Sequence, residues 1–308
     1  MNSIKVQAPA SSANLGPGFD VFGIALREPV DMIEVTEEEG DGIFIVNKSK
    51  ITTPVSVESN AAGVVANKLL NDFGFKRSLT IKIHKGIKPG IGLGSSAASS
   101  VATVLAINEL LGLKLQQWQI IRYSSYGEAA CSGVAHTDNV AASLLGGFIV
   151  VKGERAFSLK PPANIAVCIA TPSISLPERK TEYARSILPK HVELDKVVNN
   201  VANASLILAG FAMHDITLIG KGMNDEIIEP VRRRLIKGYE DVKKAALDSG
   251  AAGVCISGAG PSMLAIVDSS IYSPRNVTDC MVEAFGRNGV TAEGFYTRIG
   301  KGAEIVRQ

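Results

Sequence analysis

A glycine-rich loop between a strand-like run and a long, nearly uncharged helix constrains this chain more than any other feature. Leu79–His84 (LTIKIH) has the β-branched residues and partial alternation of a strand. The loop Lys88-Pro89-Gly90-Ile91-Gly92-Leu93-Gly94-Ser95-Ser96-Ala97-Ala98 comes next, and a helix is expected from about Ser95 to Gly112. Three glycines at alternate positions let the backbone take positive φ and pass close to a ligand. At the helix start, free N–H groups and the positive end of the dipole favour each nearby negative charge by roughly 0.3–1 kcal/mol. The loop therefore reads as a phosphate site. It is not the GxxxxGK[ST] loop, because no lysine follows the last glycine, and in GxGxxG the third glycine falls one residue later. An ordinary glycine-rich strand-to-helix turn is the plainer alternative for the loop taken alone.

At 308 residues the chain exceeds a comfortable single core, so two closely joined domains are expected, divided as 1–158 and 159–308 with a seam near 153–163. Further strands are expected at Ile4–Ala8, Met32–Thr36 and Ile43–Val46, then FIVVKG after Gly146-Gly147, Ile165–Ala170, Gly253–Ser257 and Met263–Val267, with others near 290–297 and 303–306. Ser59-Asn60 is placed to cap a helix ending at Gly74, and a helix from Gln116 to about Tyr126 leads into GEAACSG. ERAFSLKPPAN reads as a connection, and helices are expected over about 178–187, 192–213, 239–248 and 275–288. Strands with irregular helical crossovers and no regular βαβ period point to an α+β fold.

Several function classes are disfavoured. Net charge is only +2, and the cluster Arg232-Arg233-Arg234 with Lys237 has neither interleaved aromatics nor a basic stripe, so no nucleic-acid partner is expected. The four cysteines form no CxxC pair and the four histidines are scattered, which argues against zinc and against a disulfide framework. The chain opens on SIKVQAP without an apolar leader, and no stretch approaches the ~20 apolar residues that span a bilayer. A reduced, soluble, cytoplasmic protein without a membrane partner is the expectation.

PGIGLGSSAA resembles the phosphate-binding motif of the superfamily named for galactokinase, homoserine kinase, mevalonate kinase and phosphomevalonate kinase. Two other segments resemble it in the right order: Ala8-Pro-Ala-Ser-Ser-Ala-Asn-Leu-Gly-Pro-Gly-Phe-Asp20, and Ser257-Gly-Ala-Gly-Pro-Ser262. The first looks like the homoserine kinase branch, as do IRYSSYGEAACSGVAHTDNVAASLLGGF, TEYARSILP and EPVRRRL, so the resemblance covers essentially the whole chain. It implies a ribosomal-protein-S5-like N-terminal domain, a ferredoxin-like C-terminal domain and a homodimer. The implied reaction is ATP-dependent phosphorylation of an amino-acid hydroxyl in threonine biosynthesis. A shikimate, mevalonate or pantoate kinase of the same superfamily is the alternative; those acceptors lack an ammonium group, so unchanged activity in Asp20→Asn would favour them.

The resemblance places ATP on Lys88–Ala98, with Asn60 and Lys85 as lesser contacts, and Mg²⁺ between Ser96 and Glu128. A hydroxyl and a carboxylate are oxygen donors of the type that ion takes. A zwitterionic acceptor needs a carboxylate for its ammonium, which Asp20 supplies. It needs arginines for its own carboxylate, and Arg185 and Arg232 fit because a guanidinium grips a carboxylate bidentately. Asn14, Asn139 and His136 are placed on the substrate, and Thr181 near the reacting groups. In the mevalonate kinase branch an aspartate base precedes a Gly-Gly pair; counting back from Gly146-Gly147 lands on Asn139, with Asp138 next to it. An asparagine cannot accept the proton. The expectation is that Asn139 orients the hydroxyl and the proton leaves late, to a phosphate oxygen.

Overall fold

The computed structural model describes residues 2–133, 135–174 and 180–307. Ser3–Asn14 (β1) and Gly18–Glu38 (β2) form an antiparallel hairpin closed through Leu15, Gly16 and Pro17. The expected strands at Ile4–Ala8 and Met32–Thr36 are thus parts of longer ones, and the segment Ala8–Asp20 is a hairpin end. Its small residues allow this: Ala8, Ala10, Ser11 and Ser12 are fully buried, and Ser143 Oγ from a covering helix donates to Pro9 O at 2.9 Å.

β2 is long enough to serve two partners. Residues 32–38 pair with Ser78–His84 (β4), and residues 22–24 pair with Phe148–Lys152 (β5). Before β4, Gly42–Asn47 (β3) and Ala61–Asp72 (α1) complete a parallel crossover, with β3 at the sheet edge. Ser95–Leu110 (α2), Gln117–Ser132 (α3) and Thr137–Leu145 (α4) follow. α2 is buried along most of its length, as its lack of charge implies.

Two expectations are corrected here. α3 runs through the GEAACS segment instead of ending near Tyr126. At Gly127 a Cβ would lie 2.3 Å from Ser100 Oγ and 2.7 Å from Ala61 O, so this glycine permits close helix packing and does not stop the helix. The supposed connection after residue 153 begins with Arg155–Leu159 (β6), which forms a hairpin with β5; its exposed Phe157 obscures the alternation.

Ile165–Pro172 (β7) starts a second sheet. Next come Lys180–Ser186 (α5), Leu194–Met213 (α6), Ile216–Gly222 (α7), Glu229–Arg232 (α8) and Tyr239–Asp248 (α9). Ala251–Ile256 (β8), Met263–Asp268 (β9), Pro274–Arg287 (α10) and Ala292–Thr297 (β10) complete the sheet. Positions 178 and 179 of the expected 178–187 helix lie outside the described residues. The strand order β10-β7-β9-β8, all antiparallel, is the ferredoxin-like order, and α9 and α10 cover one face with a core of their own.

The opposite face of that sheet (Val167, Ile169, Leu264, Ile266) joins α6, α7 and the first sheet in one hydrophobic core. Phe148 of β5 stacks on Phe211 of α6 with centroids 4.0 Å apart, a pair worth about 0.5–1.5 kcal/mol beyond its burial. The division at 158/159 falls just before the end of β6, but the tail returns: Glu304–Ile305 (β11) pairs with β1, and Ile299 and Lys301 bridge to Leu26 and Gly146. The α+β fold is therefore two sheets fastened by a shared core and a returning strand.

Candidate active site

The three separated motifs meet in one cavity of about 500 Å³ between the two sheets. The SGAGPS loop joining β8 to β9 wedges between β1 and the glycine-rich loop. Ser257 Oγ is 2.8 Å from Ser12 Oγ and donates to Gly92 O at 2.7 Å, while Asn14 Nδ2 donates to Gly258 O at 2.9 Å. The glycines have distinct geometric tasks. Gly92 (φ 86°) abuts the C-terminal loop so closely that a Cβ would lie 2.4 Å from Ser257 O. Gly94 (φ 61°) caps α2, and a Cβ there would lie 2.1 Å from Ser11 Oγ. No side chain caps α2, so the N–H groups of its first turn face the cavity at Gly94–Ser96.

Around this phosphate end, Pro89, Gly90, Gly92, Leu93, Gly94, Ser95 and Ser96 line the cavity. Of the other loop residues, Lys88 is exposed, Ile91 packs partly buried on the core, and Ala97 and Ala98 are buried in the helix behind. Ser96 Oγ donates to Glu128 Oε2 at 2.5 Å, and Glu128 Oε1 lies 3.1 Å from His136 Nδ1. Burial alone would lower the His136 pKa, but the Glu128 carboxylate outweighs it and raises it. Ser96 and Glu128 are adjacent hard-oxygen donors at the mouth of an anion site, so they suit a magnesium ion.

Lys85 and Asn60 line the cavity but are committed elsewhere. Lys85 forms a buried ion pair with Asp31 and donates to Ser95 O and Ser99 Oγ, each at 2.9 Å, so its three protons brace the start of α2. Burial lowers its pKa against the pull of Asp31. Asn60 caps α1 through Ala62 N–H at 2.9 Å and donates to Pro54 O at 2.6 Å.

At the other end stands a cluster of charge. Asp20, held in the left-handed region (φ 59°), accepts both terminal nitrogens of Arg185 on its Oδ2. Arg232 is buried and donates to Gly258 O at 3.1 Å. The guanidinium groups of Arg185 and Arg232 lie 5.2 and 5.1 Å from the Phe19 ring centroid. Burial lowers the Arg232 pKa to about 10, with Asp20 opposing and Arg185 adding to it, so Arg232 remains a cation at neutral pH. Arg185 Nε is buried without a hydrogen bond. Asn14 is engaged at both ends of its amide, accepting from Asp20 N–H at 3.2 Å.

Between the two ends lie Asn139, Asp138 and Thr181. Asn139 Oδ1 accepts from Ser11 Oγ at 2.9 Å, which leaves its Nδ2 as the polar end for a ligand. Asp138 Oδ1 accepts the Asn139 N–H at 2.7 Å, while its Oδ2 is buried without a partner. Burial raises the Asp138 pKa to about 6, with His136 opposing. The cavity thus brings together Asn14, Asp20, Asn60, Lys85, Ser96, Glu128, His136, Asn139, Thr181 and Arg232, with Arg185 reaching it through Asp20, whereas the expected contact Lys88 is exposed and lies outside the cavity lining. Ser11, Ser12, Phe19, Asp31, Lys180 and Ser257 were not anticipated as parts of the site. Phe19 and Ser257 lie inside the quoted motifs, whereas Asp31 and Lys180 have no local signal.

Comparison with known proteins gives concordant matches. The family models described as "GHMP kinases N terminal domain" and "GHMP kinases C terminal" match residues 60–147 and 205–272. The chain is 37% identical over 305 residues to a homoserine kinase of Halorubrum lacusprofundi, covering 99% of this chain and 100% of the relative. It is 40% identical over 309 residues to a homoserine kinase of Methanocella arvoryzae, covering 100% and 99%. The crystal structure of homoserine kinase from Cytophaga hutchinsonii superimposes with a TM-score of 0.90 at 36% identity, covering 99% of this chain and 98% of that one.

Proposed function

The chain belongs to the GHMP kinases, and from that premise we propose that it transfers the γ-phosphoryl group of ATP to the hydroxyl of L-homoserine, giving O-phospho-L-homoserine. One observation carries the reading: a single cavity joins an uncapped helix N-terminus to a carboxylate and a buried arginine, with a second arginine paired to that carboxylate, a set suited to a zwitterion.

The ATP phosphates lie along Gly90–Ser96, on the N–H groups of the first turn of α2. Ser96 and Glu128 are the residues that would hold Mg²⁺, which when bound neutralises charge on the phosphate oxygens. His136 fixes the Glu128 carboxylate and so acts by position. Asp20 takes the homoserine ammonium, with Asn14 fixing the Asp20 backbone, and Arg232 and Arg185 take the carboxylate. Asn139 Nδ2 donates to the homoserine hydroxyl oxygen, because its Oδ1 is already engaged by Ser11. Once its oxygen accepts from Asn139, the hydroxyl points its own hydrogen toward the phosphate. No side chain then takes the proton in full, and it leaves late to a phosphate oxygen. Thr181 lines the wall beside the reacting groups.

The proposal extends to a homodimer in the cytoplasm. The free cysteines suit a reducing compartment. The exposed Leu194, Val198 and Val201 along α6 are of the kind a second copy would cover, and sedimentation at micromolar concentration checks this. ATP consumption measured with homoserine, threonine, serine, mevalonate and shikimate in turn tests the acceptor; absence of turnover with homoserine overturns it. Asp138→Asn tests the proton route. Activity within about tenfold of the parent fits, and a fall in kcat of ~10²–10⁴ would make Asp138 the base.

A further inference from the structure

A phosphoryl-transfer site needs positive charge at the transferred group. The glycine-rich loop supplies none within reach, because Lys88 is exposed and does not line the cavity. Among the described residues the cavity is lined by three Lys or Arg side chains, Lys85, Lys180 and Arg232, and by His136, which is paired with Glu128. Lys85 is locked to Asp31, Ser95 and Ser99, and Arg232 belongs to the acceptor end. Lys180 remains. It opens α5, and its ammonium donates to Gly90 O at 2.9 Å and to Gly260 O, bridging the loops contributed by the two domains. Two of its three protons are thereby engaged.

We propose that Lys180 is a further catalytic residue, the cation that the C-terminal domain presents to the γ-phosphoryl group of ATP. This rests on the kinase reading above. Lys180 forms no covalent bond in the transfer. The acceptor oxygen bonds to phosphorus, the bond from phosphorus to the ADP oxygen breaks, and the hydroxyl proton passes to the transferred phosphate. Meanwhile the Lys180 ammonium donates a hydrogen bond to the transferring group.

Burial, with Arg232 of α8 beside it, lowers the Lys180 pKa to about 7. Its own helix also carries Glu182 and Arg185, and Lys85 lines the same cavity. Across the cavity stand Asp20 from β2, Glu128 from α3, Asp138 from α4 and His136 before it. Entry of a triphosphate places several negative charges beside the amine and favours its charged form. With its pKa lowered to about 7, Lys180 is expected to take up a proton from solvent as ATP binds at pH 8.

Calorimetric titration of the full-length protein with Mg²⁺ and the β,γ-imido analogue of ATP, at pH 8 in two buffers of different ionisation heat, counts that proton. The parent enzyme is expected to take up nearly one proton with the analogue, and Lys180→Met is expected to take up far less. Lys180→Met should also lower kcat about 10²–10³-fold with the homoserine KM and the ADP affinity within about threefold. Lys180→Arg should restore kcat to within about tenfold without the uptake, since its charge is permanent. Unchanged uptake in Lys180→Met overturns the proposal. So does an equal loss of ADP and analogue affinity in both variants, which would make Lys180 a tether between loops. Proton uptake by an enzyme that leaves homoserine unphosphorylated keeps Lys180 in place and removes only the acceptor assignment. A parent enzyme that binds no analogue removes both.

Discussion

The two ends of the cavity are built by different means. The phosphate end is almost wholly one stretch of chain, residues 89–96, whose working groups are backbone N–H donors and a helix dipole, completed by Glu128. The acceptor end draws Asp20 from β2, Arg185 from α5 and Arg232 from α8, and its working groups are charged side chains. Backbone donors recognise any phosphate and tolerate variation around them, which suits a co-substrate shared across a superfamily. Charged side chains recognise a particular arrangement of charge, which suits the acceptor. Arg185 is paired with Asp20 and Arg232 donates to Gly258 O, so a zwitterionic substrate bound as proposed must exchange these partners for its own.

The sharpest way to break this comparison is Arg232→Met. Losing a buried guanidinium from the carboxylate subsite should raise the homoserine KM by a factor equivalent to ~2–5 kcal/mol, about 30-fold to several-thousand-fold, with the ATP KM nearly unchanged. A parallel rise in the ATP KM would show that the ends are not separable. A smaller effect, on both ends together, is expected from Gly92→Ala. Its positive φ and the close approach of Ser257 O should cost about 1–3 kcal/mol of stability and loosen nucleotide and acceptor alike. Gly90→Ala shares the positive φ (80°) but meets no atom within 4 Å, so it should cost less stability than Gly92→Ala and weaken nucleotide more than acceptor. The order of the two midpoints in thermal unfolding checks this.

The smallest effect on substrate binding is expected at the seam between the ends, where the readout is stability. Asp138 has its pKa raised to about 6 by burial, so between about pH 4 and pH 6 the folded protein holds a proton that the unfolded chain has lost. Stability from this group is complete at low pH and is lost as pH rises through that window, by about 2–3 kcal/mol in all. His136, with its pKa also raised, loses stability in the same direction as pH rises through its own pKa. The difference in urea-unfolding free energy between the parent and Asp138→Asn should therefore fall from pH 4 to pH 7. A flat difference would show that Asp138 is not desolvated as the structure places it.

Legibility followed the same division. Local signals sufficed where one stretch of chain makes its own interactions. The glycine spacing, the buried helix behind it and the cap at Asn60 could be read from neighbouring residues. Signals failed where a residue's environment comes from elsewhere. Gly127 reads as a helix stop, yet it is a contact point between α1, α2 and α3. Lys85 reads as a ligand for nucleotide, yet Asp31, 54 residues away, holds it inside the protein. Lys180 gives no signal at all until β7 and α5 bring it beside Gly90 and Gly260.

The sequence by itself therefore determined an α+β chain whose glycine-rich loop opens a buried helix and whose motifs carry the charges proposed for the acceptor, because these follow from residue type and short-range spacing. Only the tertiary structure decided which charges remain available to a ligand. Pairing, burial and pKa depend on groups tens to hundreds of residues apart, and here the shared core and the returning β11 strand set those distances.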